Sequence, residues 1–358
     1  MSRLTPSFIR RGIGIFLLTS LAGWVGTVVY GRSATAWLEG VGRLRWGWVL
    51  AGLAVGSLDW FGGGLRLWIV TRLVHPSPPL GPLVIAGGMG AWGAIVTPAN
   101  SGSAPLMVVA MRRAGVPLGA AAAAVLMTFV ATVAFFAIAG PLTLLLRGGT
   151  ALRANYAGLG LSLYDLWVGS AVLFGLLGVL FALIIVFPAH VQERLHALAR
   201  WAGSRHPRVE ARLAGVERAL ADLARSVAVF RTPRGLLALW WATCASALCF
   251  APKLVGGYFA MRAVGVEAPF VDVLILQTLI TFLLYFAPTP GASGIGEVLA
   301  ALIMAAHVPK PLTPLYTLVW RLVTSWGTLA AGVVVFSAWL RQGLRQVSDE
   351  PEAAEAPT

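Results

Sequence analysis

Six ionisable residues lie inside apolar stretches of this chain: Asp59, Arg66, Lys253, Asp272, Glu297 and Arg321. A charge at membrane depth is costly, so each marks a candidate site and needs a partner. Glu297 and Arg321 are the complementary pair. Glu297 follows Gly294 by three residues, at the start of a half-helix whose positive end favours an anion. Arg321 lies well inside a long apolar run, out of reach of bulk water, where only a carboxylate, a phosphate or carbonyls can satisfy it. Two readings follow, an ion pair that opens to admit a phosphate and a permanent structural pair. Asp59 and Arg66 stand seven apart, two turns along one helix face, and could line one cleft. Asp59, Glu297 and Lys253 are candidates for binding a proton or a cation. Arg66 and Asp272 also fit side chains that snorkel from span ends.

Catalytic chemistry has no comparable support. The histidines, at 75, 190, 196, 206 and 307, fall between apolar runs and form no H-E-x-x-H spacing, and no phosphate-binding loop, nucleophile elbow or dinucleotide fingerprint stands on a soluble segment. Cys244 and Cys249 share one apolar segment but point to different faces, which argues against a disulfide or a metal site. We therefore expect no enzyme activity, cofactor or metal.

The elements that position these residues are broken helices. The motif Thr97-Pro98-x-x-Ser101-Gly102 recurs as Thr289-Pro290-x-x-Ser293-Gly294, an offset of 192 (289 minus 97). The register holds through Val116-Pro117 and Val308-Pro309 to Ala139-Gly140 and Ala331-Gly332. Proline deletes a backbone donor and glycine weakens a helix, so such breaks persist at membrane depth only where protein or a cavity covers the freed groups. Paired breaks in two halves point to a binding site between them, formed by Thr97, Pro98, Asn100, Ser101 and Gly102 on one tip and by Pro290, Ser293, Gly294, Glu297 and Arg321 around the other.

Composition sets the environment. Hydrophobic residues make up 58% of the 358 and charged ones 11%, with 41 Gly and 14 Trp, which excludes an ordinary soluble enzyme. The net charge of +13 resides in loops between apolar spans, so it reports topology and not nucleic-acid binding. Spans are expected near 12–30, 46–70, 117–146, 166–187, 236–261 and 312–340. The first follows Arg10-Arg11 and exceeds a signal-peptide core, so it reads as an uncleaved span. Two hairpins lie between spans, Leu80–Val96 with 101–111, and 270–287 with 294–306. Arg3, Arg10, Arg11, Arg72, Arg112, Arg113, Arg341, Arg345 and the segment 190–234, which holds nine Arg against four acids, fall on one side, the cytoplasm by the positive-inside rule. The hairpins then open to opposite sides. The fold expected is an all-α polytopic membrane protein with an inverted repeat, repeat A about 46–146 and repeat B about 236–340, both termini cytoplasmic, in the inner membrane. Residues 209–227 carry an apolar helical stripe beside Arg212, Arg218 and Arg225, an amphipathic helix for the anionic leaflet or for coiled packing. The acidic tail, 348–358, reads as disordered.

The stretch Pro288-Thr-Pro-Gly-Ala-Ser-Gly294-x-x-Glu297, with Val308-Pro309 and Trp320-Arg321-Leu322, resembles the transmembrane region of lysylphosphatidylglycerol synthases, also called the flippase-like domain family. The first repeat, from Thr97-Pro98 to Val116-Pro117, matches more loosely. It has Gly102-Ser103 and then Leu106 where many relatives carry a Gly-Glu followed by Arg. The resemblance implies movement of lipids between leaflets, with Pro290, Gly294, Glu297 and Arg321 at the site. The chain ends soon after its last span, so it is not expected to carry the soluble aminoacyl-transferase domain or to make lysylphosphatidylglycerol. The partner expected is a membrane lipid. The alternative is an accessory protein that transports nothing and docks a lipid-modifying enzyme through the basic segment 190–234.

Overall fold

The computed structural model describes residues 6–32, 36–145, 162–186, 228–285 and 287–354. The amphipathic stretch 209–227, all but the end of the basic segment 190–234, and residues 355–358 of the tail lie outside them.

The described residues form helices and no strand. In chain order these are α1 (Pro6–Gly31), α2 (Ala36–Gly42), α3 (Trp46–Gly56), α4 (Leu58–Thr71), α5 (Leu80–Val96), α6 (Ser103–Arg113), α7 (Leu118–Leu145), α8 (Leu163–Val186), α9 (Pro233–Ala263), α10 (Phe270–Tyr285), α11 (Ile295–Ile303), α12 (Thr313–Arg321) and α13 (Gly327–Ala354). Six stretches are long and apolar enough to cross a membrane, Ile9–Gly31, Trp46–Thr71, Leu118–Thr143, Leu163–Leu180, Pro233–Ala263 and Lys310–Trp339, close to the expected spans. The chain is thus an all-α, multi-pass membrane protein. α1 packs into the bundle, with Ile9, Phe16 and Ser20 buried, as an integral span would. α13 runs to Ala354, past Ser348, where composition had suggested a disordered tail. A helix already running bears no nucleation cost, which lets it continue through Asp349 and Pro351 despite their low helix propensity.

Both breaks open with the same turn and then diverge, Ser101 and Gly102 staying helical where Ser293 is extended and Gly294 has φ 80°. Single 3-10 turns span Pro98–Asn100 and Pro290–Ala292, and in each the second and third residues take left-handed conformations: Ala99 and Asn100 (φ 48° and 56°), Gly291 and Ala292 (φ 55° and 53°). Ala99, Asn100 and Ala292 have a Cβ, so these turns are strained. The turns stand at the offset found in the sequence, and the two tips pack directly on one another.

Glycines set how closely the central helices approach. Gly62, Gly63 and Gly64 let α4 lie between α9 and α5. A Cβ on Gly62 would lie 2.5 Å from the backbone N of Cys249, and one on Gly87 would lie 2.5 Å from the carbonyl carbon of Gly63. α9 starts at Thr232, whose hydroxyl accepts from Gly235 N–H at 3.1 Å, with Pro233 as first helical residue. The second half packs on an aromatic cluster in which Phe136 meets Phe250, Phe174 and Phe282 at centroid separations of 4.6, 5.0 and 5.3 Å.

Gly87→Leu is therefore expected to lower stability by about 1–3 kcal/mol or more through overpacking. Gly14→Ala, which meets nothing within 4 Å, should be neutral or stabilising by about 0.5–1 kcal/mol. Thermal unfolding of the purified protein in detergent, the two variants side by side, checks this contrast.

Candidate functional site

The second break is held by one arginine. Arg321 donates from Nε to Glu297 Oε1 at 2.8 Å and from Nη2 to Glu297 Oε2 at 2.9 Å, a two-pronged ion pair. Its other donors reach the freed backbone, Nη1 to Gly291 O at 3.0 Å and Nη2 to Ala292 O at 2.8 Å, with Ser325 Oγ at 3.4 Å from Nη1. All five N–H groups are thereby used. Glu297 is equally occupied, since Oε2 also accepts Gly294 N–H at 2.7 Å and Oε1 accepts the Ser20 hydroxyl of α1. Both side chains are buried. In this conformation the pair is closed, which favours the structural alternative for it. Ser293 and Pro290 are buried in the same tip, where Ser293 Oγ donates to Pro290 O at 2.7 Å and pairs with Thr19 Oγ1 at 2.5 Å.

α1 supplies the packing for this tip. A Cβ on Gly23 would lie 2.7 Å from Gly294 Cα. The last span widens into a π turn, Leu322–Trp326, directly after Arg321. Such a turn often marks a functional position in a helix.

The first break is more open. Thr97 Oγ1 donates to Gly93 O and accepts Gly102 N–H, both at 2.7 Å, and Asn100 Nδ2 donates to Tyr285 O at 3.0 Å, tying this tip to the second hairpin. Pro98 and Ser101 are exposed, whereas Pro290 and Ser293 at the matching positions are buried.

Beside the packed tips lies a cavity of 1780 Å³. Its wall includes Thr97, Asn100, Ser101 and Gly102 of the first tip, Gly291 and Ala292 of the second, and the edge of Arg321. Pro98, Pro290, Ser293, Gly294 and Glu297 stand behind the wall. Asp59 and Lys253 both line the cavity, as a salt bridge at 2.7 Å, and Cys249 Sγ donates to the other Asp59 oxygen at 3.4 Å. Asp272 sits half-buried in the first turn of α10, outside the cavity, where the helix end favours its charge.

Arg66 does not snorkel. It is buried on the cavity wall, with Nη1 donating to Thr132 Oγ1 at 2.5 Å and Ser246 Oγ at 3.3 Å. The contacts of α4 with α9 run in reverse order, Asp59 with Lys253 and Cys249, Arg66 with Ser246, so the two helices are antiparallel. Sequence reading missed Thr19, Ser20, Ser246 and Thr132. Only Thr132 left a signal, being matched by Thr324 in the second repeat, and both line the cavity.

Residues 12–332 match the sequence family of the lysylphosphatidylglycerol synthase TM region. The chain belongs to that family. No curated protein matches it. Family membership makes this a membrane domain related to lipid synthases and flippases, consistent with its six apolar spans.

Within that family domain, Glu297→Gln is expected to lower stability by about 3–5 kcal/mol, because it leaves Arg321 buried without its counter-charge. Ser20→Ala should cost only about 1–2 kcal/mol. Denaturation of both purified variants in one detergent gives the ratio, and equal losses would contradict the assigned network.

Proposed function

We propose that this protein moves an amphipathic lipid with an anionic head group between leaflets, through the cavity between its two broken hairpins and without catalytic chemistry. One observation carries the reading: a 1780 Å³ cavity touches both tips and holds more positive than negative charge on its wall, with Arg66, Arg112, Lys253 and Arg321 against Asp59. That volume exceeds what a head group alone needs. Tips that pack on one another, and helices α4 and α9 that the repeat offset would pair and that run antiparallel, are what two halves inserted in opposite senses would produce. On this reading the domain sits in the inner membrane with both termini in the cytoplasm, by the distribution of its arginines. Asp59 and Lys253, paired on the cavity wall, are the groups through which a proton or cation would be coupled.

Proteoliposomes of the purified protein should speed leaflet exchange of anionic lipids, polyprenyl phosphate among them, over zwitterionic and cationic ones. Thr128→Trp, which places a large ring in the cavity wall, should reduce that exchange at least tenfold while the protein stays folded. No exchange of any lipid by folded wild type would refute the proposal and leave an accessory role that binds a partner enzyme.

A further inference from the structure

We infer that Arg66 is a binding site for the phosphoryl group of an anionic lipid, an inference that rests on the lipid-translocation reading and gives it a head-group anchor. The side chain is 8% exposed and lies on the cavity wall. Among the described residues no carboxylate lies within 4.0 Å of it, Nε has no hydrogen-bond partner, and its bonds run from Nη1 alone. The edge of the guanidinium made by Nε and Nη2 is therefore unclaimed, and Nε, itself enclosed, meets a ligand when the side chain turns toward the cavity. That edge is the one that grips two oxygens of a phosphoryl group in parallel.

The carboxylates that could neutralise Arg66 are committed elsewhere. Asp59 is two turns away on α4 and holds Lys253 at 2.7 Å and the Cys249 thiol. Glu297 is behind the cavity wall, bonded to Arg321, Gly294 N–H and Ser20. Arg66, Lys253 and Arg321 against Asp59 and Glu297 leave one positive charge in an apolar surround. A charge so placed calls for an anion. Lys253 keeps two N–H groups beyond its bond to Asp59 and is only partly covered, with 34% of its side chain exposed. It lines the same cavity as Arg66.

The remaining wall tells a lipid phosphate from a free one. From α6 and α7 the cavity is lined by Val108, Leu118, Val125, Leu126 and Phe129, an apolar surface that gives inorganic phosphate nothing and gives an acyl or prenyl chain a path.

The test is equilibrium binding in nanodiscs of phosphatidylcholine, with acyl-labelled phosphatidic acid or labelled phosphatidylcholine as probe and inorganic phosphate as competitor. Wild type should take phosphatidic acid at least tenfold over phosphatidylcholine, and inorganic phosphate should compete only at millimolar concentration. Arg66→Gln should bring the two lipids to parity, and Arg66→Lys should weaken phosphatidic acid by threefold or more, because a point charge cannot grip two oxygens. Unchanged selectivity in monodisperse Arg66→Gln overturns the site. So does competition by micromolar phosphate, which would make the ligand a free anion. If Arg66→Gln does not fold, Arg66→Lys decides alone, and unchanged affinity in it overturns the inference. A nanodisc has no compartments, so a failure here leaves translocation standing, whereas selective binding without exchange in proteoliposomes would refute translocation and leave the site.

Discussion

A helix broken at membrane depth frees backbone carbonyls from their helical partners, and the second half of this protein is organised around the side chain that caps them. Arg321 covers the carbonyls of Gly291 and Ala292, and Glu297 holds the guanidinium in the orientation that does so. The interaction binds distant segments together: the tip of a hairpin, the last span, and α1 through Ser20. The cost of desolvating two charges is met by using every donor of the arginine, which is the condition under which a buried ion pair is tolerable.

The first hairpin meets the same constraint differently. Phe129 stands where the repeat puts Arg321 in the second half (321 minus 192), and Pro105 where it puts Glu297. Its tip is tied by Thr97 and by Asn100 reaching across to Tyr285, and part of it remains exposed. The two breaks thus share a turn but not a lock. The Gly62–Gly64 run brings α4 close to its neighbours, with Asp59 and Arg66 on the cavity wall.

Much of this was legible in the residues because the strongest signals were covalent ones. Proline and glycine at a fixed offset located both breaks, and uninterrupted apolar length located the six spans, since each acts on its own segment. Glu297 and Arg321 were recognisable as partners because each needed an opposite charge at similar depth. What stayed hidden depends on contact between segments far apart in sequence. Nothing around Ser20 distinguishes it from other small residues of α1 until Glu297 is seen beside it. Arg66 could be read as snorkelling because its position near a span end says nothing of rotation about the helix axis, which the glycines of α4 fix by choosing its neighbours. The widened turn after Arg321 has no proline or glycine at its start to announce it. The helix beyond Ser348 shows the converse, a composition read as disordered where a helix already running continues.

The claim at the centre is that an anionic lipid enters the cavity beside the two tips with its head group near α4. The most direct measurement is photocrosslinking in the membrane with an anionic lipid that carries its reactive group beside the phosphate, followed by peptide mapping. The account predicts adducts on α4 near Arg66, on the first tip near Asn100 and on α7 near Thr132. Adducts confined to the lipid-facing side of α8, at exposed residues such as Leu173, Leu176 and Val179, would contradict it.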